Sequence, residues 1–123
     1  MNTKEVADKL VSLCQEHKNA EAIDALYDKD IVSVEAQPGG PDMPAEQRGI
    51  DAIRGKNEWW MANHEVHSGK AEGPFVNGDR FAVIFDYDVT AKAGPQAGNR
   101  FQMKEVAVYT VGNGKIVREE FLY

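Results

Sequence analysis

Two glutamates near the end of the chain are the side chains best suited to acid–base chemistry. Glu105 and Glu119 lie in the segment KEVAVYTVGNGKIVREEFLY (104–123), whose β-branched and aromatic residues predict two strands joined by a glycine-rich turn. Apolar surroundings disfavour the charged form of a carboxyl group, so its pKa rises. A carboxylic acid kept neutral in this way can donate a hydrogen bond to a carbonyl or an oxyanion. Both glutamates are therefore candidate catalytic residues.

Each glutamate also has a structural interpretation. Glu105 could pair with a cation or a water molecule and serve only to fix the strand register. Glu119 belongs to the sequence REE (118–120), which is compatible with a solvated strand edge. His64 is a third catalytic candidate, because an imidazole titrates near neutral pH.

The register of the C-terminal hairpin determines which residues face its interior. A three-residue turn over 112–114 would place Glu119 opposite Ala107. A two-residue turn would instead bring Arg118 and Glu120 to that face, because a slip of one residue turns every side chain to the other side of the sheet. We favour the three-residue turn, since it gathers the aromatic residues on one face. That face consists of Phe101, Met103, Glu105, Ala107, Tyr109, Val117, Glu119, Phe121 and Tyr123.

Aromatic and apolar residues of the same face and of neighbouring segments predict a substrate pocket. Such a pocket fits a small apolar ligand that is oriented by a few polar groups. Trp59 and Trp60 are adjacent on a predicted helix, so only one of them can face the interior squarely. The predicted pocket residues are Trp60, Phe81, Phe85, Tyr87, Met103, Tyr109, Phe121 and Tyr123.

Metal and cofactor sites are not predicted. His64 and His67 have the spacing i, i+3, but a metal site needs a third converging ligand, and no other histidine is near in sequence. The segment GNGKI (112–116) is a turn and not a phosphate-binding loop, since no helix follows it. Cys14 lies on an apolar helical stripe and is expected to be inert.

The elements that position these residues follow from hydrophobic periodicity. Helical spacing predicts helices over 3–18, 20–27 and 49–65, and Asn2 with Glu5 matches a capping box. A period of two predicts strands over 30–36, 66–76, 79–90 and 100–111, with a final strand after the turn. Three prolines and two glycines predict a loop over 37–48. The order indicates one α+β domain, residues 1–123, with an antiparallel sheet and segregated helices.

Composition excludes several classes of partner. The chain has 123 residues, of which 14 are Lys or Arg and 20 are Asp or Glu, so its net charge is −6. This charge argues against binding to nucleic acid or to an anionic membrane surface. No window is apolar enough for a membrane span, and a single cysteine excludes an internal disulfide. A cytoplasmic protein is the expectation.

Three segments resemble one known family along essentially the whole chain. AEAIDALYDKDIVSVE, RGIDAIRGKNEWW and KEVAVYTVGNGKIVREEFLY are similar to the nuclear-transport-factor-2-like superfamily, in its SnoaL-like and ketosteroid-isomerase-like branch. The resemblance implies three N-terminal helices packed in a strongly curved sheet that forms a cone with an internal cavity. Glu105 falls at the position of the inward-facing acid of ketosteroid isomerases.

Two departures from the isomerase pattern leave two functions open. The family's general base aligns with Ala36, and its tyrosine donor aligns with Val11. The first hypothesis is an isomerase- or cyclase-like enzyme that uses a buried carboxylic acid on an apolar carbonyl compound. The second is a non-catalytic ligand-binding or dimeric accessory module. A homodimer is expected in either case, because the outer sheet face carries an apolar patch formed by Ala82, Ile84, Val106 and Val108.

Overall fold

A computed structural model describes all residues, Met1–Tyr123. The chain forms three helices and six strands, with two helices first and four consecutive strands last. The predicted α+β class is confirmed. The elements are α1 (Thr3–Gln15), α2 (Asn19–Leu26), β1 (Tyr27–Val34), β2 (Glu46–Arg48), α3 (Ile50–Asn63), β3 (His64–Asn77), β4 (Arg80–Ala91), β5 (Arg100–Gly112) and β6 (Lys115–Leu122).

The helices begin and end near the predicted positions. The capping box of α1 is present: the Glu5 amide donates to Asn2 Oδ1 at 2.8 Å, and the Asn2 amide donates to Glu5 Oε1 at 3.1 Å. The helix is shorter than predicted at its C-terminus, where His17 adopts a φ of 59°. Likewise α3 ends at Asn63, because His64 is already extended and begins β3.

The sheet is mixed, which corrects the prediction of a purely antiparallel one. Its strand order is β2-β1-β6-β5-β4-β3. The pair β1–β6 is parallel, whereas the other neighbouring strands are antiparallel. Periodicity describes each strand alone, so it does not specify that the first long strand will pair with the last. The helix α1 packs against β3 and β4 on the interior of the curved sheet.

The predicted loop over 37–48 contains a short strand at its end. Residues Glu46–Arg48 form β2, which pairs with β1 so that Val34 faces Glu46 and Val32 faces Arg48. The preceding Pro- and Gly-rich part lacks regular structure apart from a bridge between Gly40 and Met43. This part forms one wall of the cavity described below.

The hairpin β5–β6 differs from the favoured register, although Glu119 still faces the interior. The turn has two residues, Asn113 and Gly114, with φ angles of 52° and 77°, and Gly112 pairs with Lys115. A bulge then leaves Val117 without a partner, so Tyr109 lies opposite Glu119. The extra residue shifts the following side chains of β6 to the opposite side of the sheet. Val117 therefore leaves the predicted interior face, whereas Glu119 stays on it.

The core fills the closed part of the cone. Its members come from all three helices and from β1, β4, β5 and β6, and the fully buried side chains include Leu10, Leu26, Ile31, Ile53 and Ile116. No helix of the chain has the length and apolar character needed to cross a membrane. The remaining interior space is a cavity between the helices and the curved sheet.

Candidate active site in the cavity

A cavity of about 340 Å³ opens between α3, the loop after β1 and the concave side of the sheet. Its lining is mostly hydrophobic, with a cluster of charged side chains. Such a volume suits a small organic ligand. Except for Phe81, all predicted pocket residues line the cavity: Trp60, Phe85, Tyr87, Met103, Tyr109, Phe121 and Tyr123.

Phe81 belongs to the core and not to the cavity. Its side chain is 1% exposed and stacks on the Tyr109 ring, with ring centroids 4.8 Å apart. Alternation places Phe81 on the interior face, as predicted, but at a depth where the cone is already filled by side chains. The assignment of Phe81 as a pocket residue is therefore wrong.

Aromatic rings form one wall of the cavity. Tyr87 stands between Phe85, at a ring-centroid distance of 5.9 Å, and Trp60, at 5.8 Å. Burial raises the pKa of Tyr87, so its hydroxyl stays neutral. Trp59 also reaches the cavity, although 43% of its surface is exposed, which places it at the mouth. Both tryptophans therefore contribute to the lining.

His64 is not among the cavity-lining residues. Its Nδ1 lies 2.9 Å from the Trp60 carbonyl oxygen, and its ring stacks on Trp60 with centroids 4.6 Å apart. The imidazole thus covers the C-terminal end of α3, which the helix-end position in the sequence permits. This placement gives no support to the assignment of His64 as a catalytic residue, which stays a prediction. No group of His, Cys, Asp and Glu side chains in the chain is arranged to hold a metal ion.

Glu105 lines the cavity, is half-buried and has no hydrogen-bonding partner in the protein. Burial raises the pKa of its carboxyl group from an ordinary value of 4.5 to about 7. The charge of Glu35 adds to this increase, and the charge of Lys56 opposes it. The group is therefore protonated in a large fraction of molecules near neutral pH, and its proton is available to a ligand.

Glu119 is 2% exposed and fully engaged by the protein. The Tyr27 hydroxyl donates to its Oε2, and the Ser33 hydroxyl donates to its Oε1 at 2.8 Å. The ammonium nitrogen of Lys56 lies 3.8 Å from Oε1. Burial raises the pKa of Glu119, while Lys56 and the two hydroxyl donors act in the opposite direction. This carboxyl group faces inward but presents its oxygens to the protein.

Lys56 and Glu35 complete a charged cluster that is not among the predicted site residues. Lys56 Nζ donates to Glu35 Oε1 at 2.8 Å and to Ser33 Oγ at 2.6 Å, and it lies 5.1 Å from the Phe121 ring centroid. Only 15% of the Lys56 side chain is exposed. The Tyr123 hydroxyl donates to Glu35 Oε2 at 3.3 Å.

One signal for this cluster is present in the sequence. Lys56 lies three residues after Ile53 and four before Trp60, so it shares the inward face of α3 with both. Glu35 directly follows β1, one position before Ala36. A lysine on a helix is normally assigned to solvent, which is why the spacing alone did not identify it.

Comparison with known proteins gives consistent matches over the whole chain. A family model described as a SnoaL-like domain matches residues 1–123. A crystal structure from Mesorhizobium loti is 46% identical, with both chains covered at 100% and a TM-score of 0.91. That protein is described as a proposed SnoaL-like polyketide cyclase and, in brackets, as a carbohydrate phosphatase.

Two more distant structures share the fold. A proposed polyketide cyclase from Pseudomonas putida is 17% identical, with a TM-score of 0.71 and coverage of 100% of this chain and 92% of that chain. A protein from Catenulispora acidiphila with a ketosteroid-isomerase-like fold, in complex with trimethylamine, is 19% identical. Its TM-score is 0.72, with coverage of 99% and 87%. A comparison with curated sequences gave no significant match.

Proposed function

This chain belongs to the SnoaL-like domain family, as the sequence resemblance predicted, and we propose that it is an isomerase- or cyclase-like enzyme acting on a small apolar carbonyl compound. One observation carries the proposal: Glu105 lines an aromatic cavity without a hydrogen-bonding partner in the protein. A carboxyl group that lines a cavity and makes no hydrogen bond within the protein is free to bind a molecule in that cavity, and its raised pKa is typical of a functional site.

The chemistry of Glu105 follows from its protonation. With a pKa of about 7, the carboxylic acid donates its proton to a ligand carbonyl oxygen and stabilises the negative charge that develops there. The aromatic wall of Phe85, Tyr87 and Trp60 accommodates the apolar body of the ligand and excludes water. Both isomerisation and ring closure at a carbonyl use such a proton donor. Glu119 is less suited to this role, because it is 2% exposed, both of its oxygens already accept hydrogen bonds from Tyr27 and Ser33, and Lys56 lies nearby.

The proposal is tested with 2-tetralone, an apolar bicyclic ketone whose α-protons exchange with solvent. We expect the native protein to bind this ketone and to accelerate deuterium incorporation in D₂O, measured by proton NMR. Glu105→Gln should retain binding better than Glu105→Ala, because the amide can still donate to the carbonyl oxygen. Glu105→Gln should also reduce the exchange rate on the order of 10²-fold, because the amide transfers no proton. Native binding without accelerated exchange would contradict the enzymatic function.

A second candidate function is a non-catalytic ligand-binding or dimeric accessory module. It is favoured by Ala36 and Val11, which stand where ketosteroid isomerases carry their base and their tyrosine donor. The dimer would use the outer sheet face, where Ile84, Val106 and Val108 are only partly covered by the chain itself. Light scattering of the purified protein tests this assembly, for which we expect twice the mass of 13.6 kDa. A monomer at micromolar concentration would contradict it.

A further inference from the structure

The cavity contains a second carboxyl group with access to a ligand. Glu35 follows the end of β1 and lines the cavity together with Glu105 and Lys56. The two glutamates differ in their surroundings, because Glu35 is paired with Lys56 at 2.8 Å and Glu105 is unpaired. The cavity thus presents one carboxyl group beside a fixed cation and another without any. Two carboxyl groups in such different surroundings are an arrangement suited to acid–base catalysis.

Lys56 is held in place from several directions. Its ammonium group donates to Glu35 and to Ser33, and the Phe121 ring lies beneath it. Through the Ser33 hydroxyl it is also connected to Glu119, since Ser33 donates to Glu119 while it accepts from Lys56. One ammonium group therefore interacts with two carboxyl groups, directly with Glu35 and through Ser33 with Glu119. A lysine that is mostly buried and bound on several sides has little freedom to leave Glu35.

We propose that Glu35 is the proton acceptor of this cavity, that Lys56 is the positioning residue that holds and orients its carboxyl group, and that the substrate is an enolisable ketone or aldehyde. The inference rests on the proposed function of Glu105 as the acid. It adds the acceptor that Ala36 cannot provide, and it names the class of carbonyl compound. Each Glu35 oxygen has a spare lone pair beyond its bonds to Lys56 and Tyr123.

The proton transfer balances within the cavity. The Glu35 carboxylate removes a proton from the carbon next to the carbonyl group, and the pair of electrons from that C–H bond forms the C=C bond of the enol. The electrons of the C=O π bond move to oxygen, which takes the proton of Glu105. Reversal returns the Glu105 proton from oxygen and delivers the Glu35 proton to carbon, so both residues regain their starting states without a co-reactant.

The charged and titratable groups around Glu105 come from several elements. They are Glu35 after β1, Lys56 on α3, Tyr87 on β4, Tyr109 on β5, Glu119 on β6 and the C-terminal Tyr123. The tyrosine hydroxyls stay neutral, because burial raises the pKa of each. The charges that act on Glu105 are thus those of two glutamates and one lysine.

Carboxyl carbon NMR titrations test the charge arrangement. Glu35→Gln removes a negative charge, so we expect the pKa of Glu105 to fall, whereas Lys56→Met removes a positive charge and should raise it. Lys104→Met is the matched control, because Lys104 is adjacent to Glu105 in sequence but exposed on the outer face. These shifts report whether the charges of Glu35 and Lys56 act on Glu105, and the exchange assay described next distinguishes a catalytic role of the pair from a structural one. An unchanged Glu105 titration in Lys56→Met and Glu35→Gln would overturn the positioning role.

Exchange of 2-tetralone in D₂O tests the acceptor. Glu35→Gln keeps an oxygen for Lys56 to bind, so the fold should persist while the exchange rate falls on the order of 10²-fold. Glu35→Asp should recover part of the rate, and Lys104→Met should retain the native rate. If Glu105→Gln lowers the rate but Glu35→Gln does not, the proposed function stands and this inference is wrong. If the native protein does not accelerate exchange, both are wrong.

Discussion

Glu105 and Glu119 are the same residue type on neighbouring strands of one sheet face, yet the protein treats them in opposite ways. Glu119 accepts hydrogen bonds from Tyr27 and Ser33 and lies near an ammonium group. Both side chains line the cavity, but Glu105 has no hydrogen-bonding partner in the protein. The region around Glu119 is a closed hydrogen-bond network, and the region around Glu105 is open to the cavity.

This difference shows that hydrogen-bonding partners, and not burial alone, distinguish a structural carboxyl group from a functional one. Burial raises the pKa of both groups. A carboxyl group that is already bonded contributes to the stability of the fold, and its loss leaves other buried groups unsatisfied. An unbonded carboxyl group contributes little to the fold and keeps its proton for a ligand. The two glutamates should therefore respond differently to substitution and to pH.

The largest effect is expected for Glu119→Ala. This change leaves the Tyr27 and Ser33 hydroxyls without their acceptor and removes one of the two carboxylates near Lys56, so we expect the free energy of unfolding to fall by about 3–5 kcal/mol. Urea denaturation measures it. Glu120→Ala, on the outer face, is the control and should cost less than about 1 kcal/mol. Equal losses for both variants would remove the distinction between the closed and open regions.

A smaller effect that depends on pH is expected for Glu105→Gln. Because its pKa is raised from 4.5 to about 7, the native state binds this proton more tightly than the unfolded state does. The resulting stabilisation is fully present below pH 4.5 and is lost as the pH rises through about 7. At 1.36 kcal/mol per pKa unit, the free energy of unfolding of the native protein should fall on the order of 3 kcal/mol over this pH range. The Glu105→Gln variant should not show this decrease.

Denaturation at a series of pH values measures this difference. Glu120→Gln provides the matched control and should follow the native curve, since its carboxyl group lies on the other face of β6. A glutamate paired with a cation would behave in the opposite way, with a depressed pKa and a loss of stability toward acid. Observation of that pattern would make Glu105 a structural residue like Glu119.

The smallest effect is expected for Tyr123→Phe. The Tyr123 hydroxyl links Glu35 to the Gln37 amide with distances of 3.3 and 3.4 Å, and 61% of the residue is exposed. Long hydrogen bonds at an exposed position contribute little, so we expect a change below about 1 kcal/mol in the free energy of unfolding. A much larger loss in urea denaturation would show that the charged cluster depends on the C-terminus as well as on Lys56.

Much of the fold could be predicted from local patterns. The spacing of apolar residues located the three helices, and the Asn2–Glu5 box marked the start of the first. Alternation placed Glu105 and Glu119 on the interior face, although the predicted turn was wrong. A two-residue turn plus the bulge at Val117 has the same effect on facing as a three-residue turn. The predicted inward orientation of the two glutamates is thus confirmed, although for a different reason.

The charged cluster could not be predicted, because it joins residues that are distant along the chain. Lys56 on α3 meets Glu35 after β1 only when the helix packs against that strand. Alternation also gives the face of a side chain and not its depth, which explains why Phe81 was assigned to the pocket although it belongs to the core. The parallel pair β1–β6 has the same origin in contacts between distant segments.

The hairpin turn is an exchangeable module for protein engineering. Residues that lie opposite each other in an antiparallel pair face the same side of the sheet, so Glu119 points into the cone as long as it lies opposite Tyr109. A designer can therefore graft a turn of another length in place of Asn113 and Gly114, provided that Gly112 and Lys115 still pair. A graft that shifts this pairing by one residue would instead turn the charged neighbours of Glu119 into the cone.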